Sequence, residues 1–151
     1  MVCMRQLVWC GLVLGLLWGG RAHTATQQVK PGDALQAVID RAQAGDVVEI
    51  ARGLYQGNFV VNKPLTLRGV GRPTLSGGLV GHTLSVESAD VVLEGLIVRD
   101  SGDSLKDQNS GIYIRPGSHR TVVQHCTLSY NLFGLWIEKA NDVRVEANNI
   151  T

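Results

Sequence analysis

The residues best suited to metal chemistry in this sequence are an adjacent histidine and cysteine, His125 and Cys126, with His119 close before them. Imidazole nitrogen and thiolate sulfur are ligands that copper and zinc accept. Neighbouring residues on a strand point to opposite faces, so this pair shares one metal ion only if it lies at a corner of the chain. Because the sequence holds no His-x-His or Cys-x-x-Cys motif, His119, His125 and Cys126 are weak candidates. The alternative for Cys126 is a small buried side chain.

A second group of reactive side chains is acidic and comprises Asp100, Asp103 and Asp107, beside Lys106. Carboxylates on a repetitive scaffold can bind calcium, and a basic residue beside them can abstract a proton, as in polysaccharide lyases. That chemistry calls for a second carboxylate or an arginine one repeat away, and the equivalent positions supply none. The other interpretation is a solvated loop, and we expect no catalytic residue.

These residues lie within a sequence repeat. Three copies of a strand, gap and strand pattern begin at Leu84, Ile112 and Leu135, and the two regular copies are offset by roughly 22 residues. A unit this short cannot bury its own apolar face, so it must stack on its neighbours as a coil of short parallel strands. The first copy is longer, and we expect its extra residues, 99–110, to form a loop inserted at one corner.

Alignment of the copies assigns side chains to shared positions. Among the positions common to all three copies, the first considered is held by Leu96, Cys126 and Asn148 and the second by Gly95, His125 and Ala147. At the first, the Asn148 amide can bond the backbone of an adjacent coil. Tyr113 and Trp136 share an outward position, where they form either a binding strip or lateral packing. An enzyme on this fold would align acidic or basic side chains from successive coils into a cluster, whereas the first two positions do not.

Composition favours one domain with many corners. The chain has 151 residues, 18 glycines, 5% aromatic residues and a formal net charge of +1. This length corresponds to about one domain, and abundant glycine is typical of tight turns. The balanced charge argues against nucleic acid and anionic membrane surfaces as partners.

The N-terminus has the order of a secretory signal peptide: Arg5, an apolar run over residues 7–18, and then small residues. The run is shorter than the roughly 20 residues of a membrane-spanning helix. We therefore predict a signal peptide over residues 1–22, with cleavage after residue 22 or 25, and no membrane span afterwards. Cys3 and Cys10 leave with it, so Cys126 has no partner for an internal disulfide.

The rest of the chain divides into three parts. Residues 23–32 are predicted to be extended, and residues 33–44 to form a short capping helix with Asp33 as N-cap and Gly45 after its end. Residues 46–151 alternate strands with turns and are predicted to form the coils. Gly69 and Gly71 do not open a helix, which argues against a nucleotide-binding loop. The sequence stops in the middle of a repeat, and we expect a truncated solenoid.

Several motifs carry a family resemblance. The N-terminal ones resemble the opening of right-handed β-helix proteins of the carbohydrate-binding and sugar-hydrolase type; they are the run 31–39, Ala44-Gly45-Asp46, the turn 53–57 and the run 63–69. The later runs 97–102, 111–114 and 131–137 resemble the NosD family of nitrous oxide reductase maturation proteins. The family resemblance extends over the chain after the signal peptide, although the chain is short and lacks further coils and a C-terminal closure.

The resemblance implies a fold, a location and partners. The fold is a right-handed parallel β-helix, and the protein is a non-catalytic periplasmic accessory factor for assembling the copper-sulfur cluster of nitrous oxide reductase. Its implied partners are an ABC transporter with an ATPase and a membrane subunit, a copper chaperone and the reductase itself. The family provides no catalytic motif to transfer, and copper is handled by the pathway. The alternative is a secreted polysaccharide lyase, epimerase or hydrolase on the same fold.

Overall fold

The structure is a computed structural model that describes residues 24–151. One short helix and fifteen short strands follow one another in this range. In chain order they are β1 (Thr26–Val29), α1 (Leu35–Arg41), β2 (Val47–Ala51), β3 (Leu54–Gln56), β4 (Phe59–Val61), β5 (Thr66–Val70), β6 (Thr74–Ser76), β7 (Leu84–Val86), β8 (Val92–Glu94), β9 (Ile97–Arg99), β10 (Ser110–Ile114), β11 (Val122–Gln124), β12 (Thr127–Ser129), β13 (Phe133–Ile137), β14 (Arg144–Glu146) and β15 (Asn149–Ile150).

Successive strands enter three different parallel sheets. Sheet A has the order β1-β2-β5-β8-β11-β14, sheet B the order β15-β12-β9-β6-β3, and sheet C the order β13-β10-β7-β4. Each full coil therefore supplies one strand to each sheet, beginning with β2, β3 and β4. The predicted fold class, a parallel β-helix with a short N-terminal helix, is confirmed.

The interior of the solenoid is a continuous apolar core, because each strand turns alternate side chains inward. Leu67, Leu93 and Val123 stack in sheet A with no exposed surface, and Leu84 and Ile112 do the same in sheet C. Burying a side chain of this size contributes about 1.5–3 kcal/mol relative to exposure. Stacking between coils thus supplies the stability that one coil cannot.

The strand register reproduces the sequence repeat. Val123 pairs with Val145, and Ile112 pairs with both Leu84 and Leu135. Residues 100–109 connect β9 to β10 and leave this register unchanged. They form the loop that the longer first copy predicted, which we call the inserted loop.

The N-terminal part differs in detail from the prediction. The helix spans Leu35–Arg41, and its N-cap is Ala34 without a side-chain hydrogen bond, so the assignment of Asp33 as N-cap is wrong. Asp33 Oδ2 instead accepts the Lys30 N–H at 2.8 Å and closes the preceding turn. The extended segment contains β1, which pairs in parallel with β2.

The sequence pattern misses β3 and β6. The stretch Gly53–Gly57, predicted to be a turn, contains β3. Each of these strands has three residues, and its central side chain, Tyr55 or Leu75, is buried. β3 has this one buried residue, and in β6 the buried Ser76 directly follows Leu75, so neither strand shows a repeated alternation. Gly69 lies within β5 and the next element is β6, so this turn does not open a helix as a nucleotide-binding loop would.

The predicted signal peptide, residues 1–22, lies outside the described residues, and both cleavage positions remain predictions. Within residues 24–151, no helix is long and apolar enough to cross a membrane.

Candidate functional site

Two pairs of rings lie at sheet C, His82 with Tyr113 and Phe133 with Trp136, and we call these four residues the aromatic face. Tyr113 on β10 pairs in register with Trp136 on β13, as the repeat predicted. Ring centroids are 4.5 Å apart for His82 and Tyr113, and 5.1 Å apart for Phe133 and Trp136. Tilted rings at these separations attract one another. All four side chains are half-buried, so the rings pack laterally and still present a surface.

Polar groups fix the orientation of Tyr113. Its hydroxyl donates a hydrogen bond to Glu138 Oε2 at 2.6 Å. The Arg115 guanidinium carbon lies 5.1 Å from the Tyr113 ring centroid, and Arg115 Nε lies 3.0 Å from Glu87 Oε1. The hydrogen bond to Glu138 raises the pKa of Tyr113, and burial raises it further. Tyr113 is therefore a neutral, immobilised donor at neutral pH.

His82 connects the aromatic face to the inserted loop. Its Nδ1 lies 3.0 Å from Ser110 Oγ, at the loop's C-terminal end. Burial lowers the pKa of His82, the Arg115 charge lowers it further, and the Asp107 charge acts in the opposite direction. His82 is thus neutral at pH 7. The sequence did not single it out, although the Leu84–Ile112 register already places His82 beside Ser110.

The carboxylates of the inserted loop are held by local partners. Asp100 Oδ2 accepts hydrogen bonds from Arg99 Nε and Ser76 Oγ, each at 2.8 Å. Asp107 Oδ2 accepts one from Ser104 Oγ at 2.7 Å. The other charged side chains of the loop are exposed: Asp103 and Lys106. These contacts stabilise the loop's conformation, which supports the interpretation as a solvated loop.

His125 and Cys126 lie at a corner, between β11 and β12. His125 is exposed, whereas Cys126 is 1% exposed and its Sγ lies 3.3 Å from the Gln124 carbonyl oxygen. Burial raises the pKa of the thiol, which disfavours the thiolate that metals bind. The buried side chain expected for Cys126 is therefore observed.

His119, the third metal candidate, lies in the turn after β10, where its Nδ1 accepts the Asn141 N–H at 2.9 Å. Across residues 24–151, no three His, Cys, Asp or Glu residues form a group that could hold a metal ion. Direct copper binding by His119, His125 or Cys126 stays a prediction.

The corner between sheets A and B repeats one backbone conformation. Its first position has φ of 68°, 54° and 54° at Gly95, His125 and Ala147. At the next position, Asn148 Oδ1 accepts the Cys126 N–H and Asn148 Nδ2 donates to the Val123 carbonyl, both at 2.8 Å. This confirms the predicted bonding of the Asn148 amide to the adjacent coil. The residues at this corner thus shape the turn and bond the backbone of the adjacent coil.

The class of protein is a parallel β-solenoid, as its stacked short coils and its short capping helix show.

The chain matches no protein-family model. It is 31% identical over 140 residues to a probable ABC transporter binding protein NosD of Pseudomonas aeruginosa, which covers 93% of this chain and 31% of that protein. It is 28% identical over 98 residues to a protein of the same description from Stutzerimonas stutzeri, covering 65% of this chain and 22% of the relative.

These matches agree with the motifs and with the fold. The resemblance to the NosD family is confirmed, and the chain is a NosD-like parallel β-solenoid. It spans less than a third of the length of the curated relatives that it matches.

Proposed function

We propose that this chain is part of a non-catalytic, periplasmic accessory protein that acts with an ABC transporter in assembling the copper-sulfur cluster of nitrous oxide reductase. The observation that carries the proposal is the match over 93% of the chain to a relative described as a probable ABC transporter binding protein NosD. Copper is the cargo of this pathway, and a copper chaperone and the reductase are further proposed partners.

The side chains on the solenoid support a binding role. The corner position shared by Leu96, Cys126 and Asn148 holds apolar or backbone-bonding side chains. Asp100 and Asp107 of the inserted loop accept hydrogen bonds from neighbouring donors. Tyrosine, tryptophan and arginine are enriched at the energetic centres of protein interfaces. Tyr113, Trp136 and Arg115 adjoin on sheet C, so we assign the aromatic face as the contact surface for a protein partner of this pathway.

The maturation role is tested by deleting the coding sequence in a denitrifying host and measuring the copper content of purified nitrous oxide reductase. We expect the reductase to lose most of its copper and the wild-type gene to restore it. Normal copper loading in the deletion strain would refute the role. Turnover of pectin or alginate by the purified chain would instead establish the polysaccharide-enzyme alternative.

The aromatic face is tested in the same host by complementation. The double variant Y113A/W136A should restore copper several-fold less well than wild type, because it removes two rings on adjacent strands from the contact surface. The matched control is Y130A, which removes an exposed tyrosine beside Arg99 on sheet B. Equal complementation by the two variants at equal protein levels would argue against this assignment.

A further inference from the structure

The first coil comprises β2, β3 and β4, and each has one edge that faces away from the second coil. These three edges differ in what covers them. In sheet A, β2 is covered by β1. In sheet C, Gln36 of α1 replaces a strand: its Oε1 accepts the Val60 N–H at 2.8 Å and its Nε2 donates to the Val60 carbonyl at 3.0 Å. In sheet B, β3 is the terminal strand of the described chain, and a cavity of about 360 Å³ lies between β3 and the start of α1.

The backbone of β3 directs hydrogen-bonding groups toward this cavity. The Gly53 carbonyl and the Gly57 N–H both bond to β6, at 2.8 and 2.9 Å. Along a strand, successive residues direct their N–H and C=O groups to opposite sides. The N–H and C=O groups of Leu54 and Gln56 therefore point away from β6, toward the side on which the cavity lies.

The cavity has an apolar floor and one charged side chain. Leu35, Tyr55 and Phe59 are buried and line it, while Leu54 at its rim is 57% exposed. Asp33 lines it too, and the lining residues include no lysine, arginine or histidine. Burial raises the pKa of Tyr55, and the Asp33 charge raises it further. The Asp33 carboxylate, as the charged group of the lining, favours a cationic ligand.

We propose that β3 binds an extended segment of a partner protein, which adds a strand to sheet B and places a basic side chain beside Asp33. Strand addition to an exposed edge is a general mode of peptide recognition, in which main-chain bonds give affinity and side-chain pockets give specificity. The three residues of β3 span about 10 Å, so the paired segment is short. An apolar side chain of the segment covers Leu54. The inference goes beyond the proposed function and does not depend on it.

The probe is a blocked pentapeptide of alternating valine and lysine, titrated into the purified chain while backbone amide shifts are recorded by NMR. We expect the amide signals of Leu54 and Gln56 to shift with a millimolar dissociation constant. A matched peptide with glutamate in place of lysine should bind about tenfold more weakly or worse. The absence of shifts at these amides at about 5 mM peptide, or equal affinity for the two peptides, would overturn the proposal.

Two pairs of variants separate the charge from the strand pairing. D33N keeps an acceptor for the Lys30 N–H but removes the charge, and D103N makes the same charge change on the exposed inserted loop. L54P removes an edge N–H, which a terminal strand tolerates, and L54A keeps it. We expect D33N and L54P each to weaken lysine-peptide binding about tenfold, and D103N and L54A to retain it within about twofold.

Amide spectra and thermal unfolding establish that each variant is folded before binding is compared. Wild-type affinity for the lysine peptide must also fall as sodium chloride is raised, because the contact with Asp33 is ionic. Salt-independent binding overturns the proposal even if one of the variants fails to fold. Retained binding in a folded L54P excludes strand addition, and retained binding in a folded D33N excludes charge recognition.

Discussion

Individual side chains on the aromatic face hold one protonation state around neutral pH. Tyr113 is kept protonated by its bond to Glu138, and His82 is kept neutral mainly by burial. A partner therefore meets a surface of neutral rings, with charge restricted to the guanidinium and carboxylates around it. The energetic cost of charging His82 should appear directly in the stability of the fold.

We expect the free energy of unfolding to decrease as the pH falls below about 6.5, the ordinary pKa of histidine. Because the pKa of His82 is lowered in the folded chain, the unfolded chain binds the proton first. Stability present above the ordinary pKa is thus lost as the pH falls through the lowered folded pKa. Urea unfolding across this pH range, compared between wild type and H82N, measures the contribution.

H125N is the matched control, because His125 is exposed. It should keep the wild-type pH dependence, whereas H82N should flatten it. Identical curves for wild type and H82N would contradict the assignment of this titration to His82.

The site shows which residues a sequence can identify. Tyr113 and Trp136 were found because one repeat offset relates them, and Asn148 was found because the repeat places it at a corner. His82 and Phe133 were missed because each lies outside the aligned strand cores. His82 lies two residues before β7, and its alignment with Ser110 appears only when the pairing of Leu84 with Ile112 is extended beyond the strand cores.

At the scale of elements, α1 closes the first coil through a side chain as well as through its apolar face. Leu35, Val38 and Ile39 are buried, and Gln36 bonds both backbone groups of Val60. A glutamine amide offers a donor and an acceptor together, as a neighbouring strand would. The helix therefore covers β4, and the Val60 N–H and carbonyl at the edge of that strand have partners in Gln36.

Q36A should lower the free energy of unfolding by about 1–3 kcal/mol, because it leaves the Val60 N–H and carbonyl without these partners. Q43A, a change of the same kind at an exposed position just after α1, should stay within about 0.5 kcal/mol of wild type. Urea unfolding of the two variants measures both values. Equal destabilisation of the pair would show that Gln36 contributes no more than an exposed glutamine.

The fold was predictable wherever buried side chains alternate. β2, β4 and the repeated strands of the later coils each turn at least one apolar residue inward within a recognisable repeat. β3 has one buried residue and β6 has two adjacent ones, Leu75 and Ser76, so neither strand shows a periodicity. Asp33 has the side chain of an N-cap, yet a turn with the Lys30 N–H competes for its carboxylate, and that local competition is not visible in residue type.

At the scale of the whole molecule, stability is a sum of contacts between neighbouring coils. Leu67, Leu93 and Val123 lie inside the stack with coils on both sides and are fully buried, while Val145 and Ile150 in β14 and β15 are 41% and 52% exposed. In the isolated 151-residue chain, local opening should therefore require the least free energy at β14 and β15.

Amide hydrogen exchange of the purified chain should reveal how the free energy of local opening varies from the inner strands to the last ones. We expect the slowest exchange in β5, β8 and β11 and the fastest among the strands in β14 and β15, because each inner strand is bonded on both sides. Measurement by NMR or mass spectrometry at neutral pH resolves the order. Uniform protection from β5 through β15 would indicate a single cooperative unit instead.

The inserted loop also offers a place to attach a reporter. It changes the length of one coil without shifting the pairing of Leu84 with Ile112, and Leu105 within it is 70% exposed. Lengthening a surface loop costs little, about 0.6 kcal/mol for each doubling. The loop leads directly into Ser110, whose Oγ lies 3.0 Å from His82 Nδ1. A photo-crosslinking residue at position 105 should therefore mark a partner bound to the aromatic face covalently in cells.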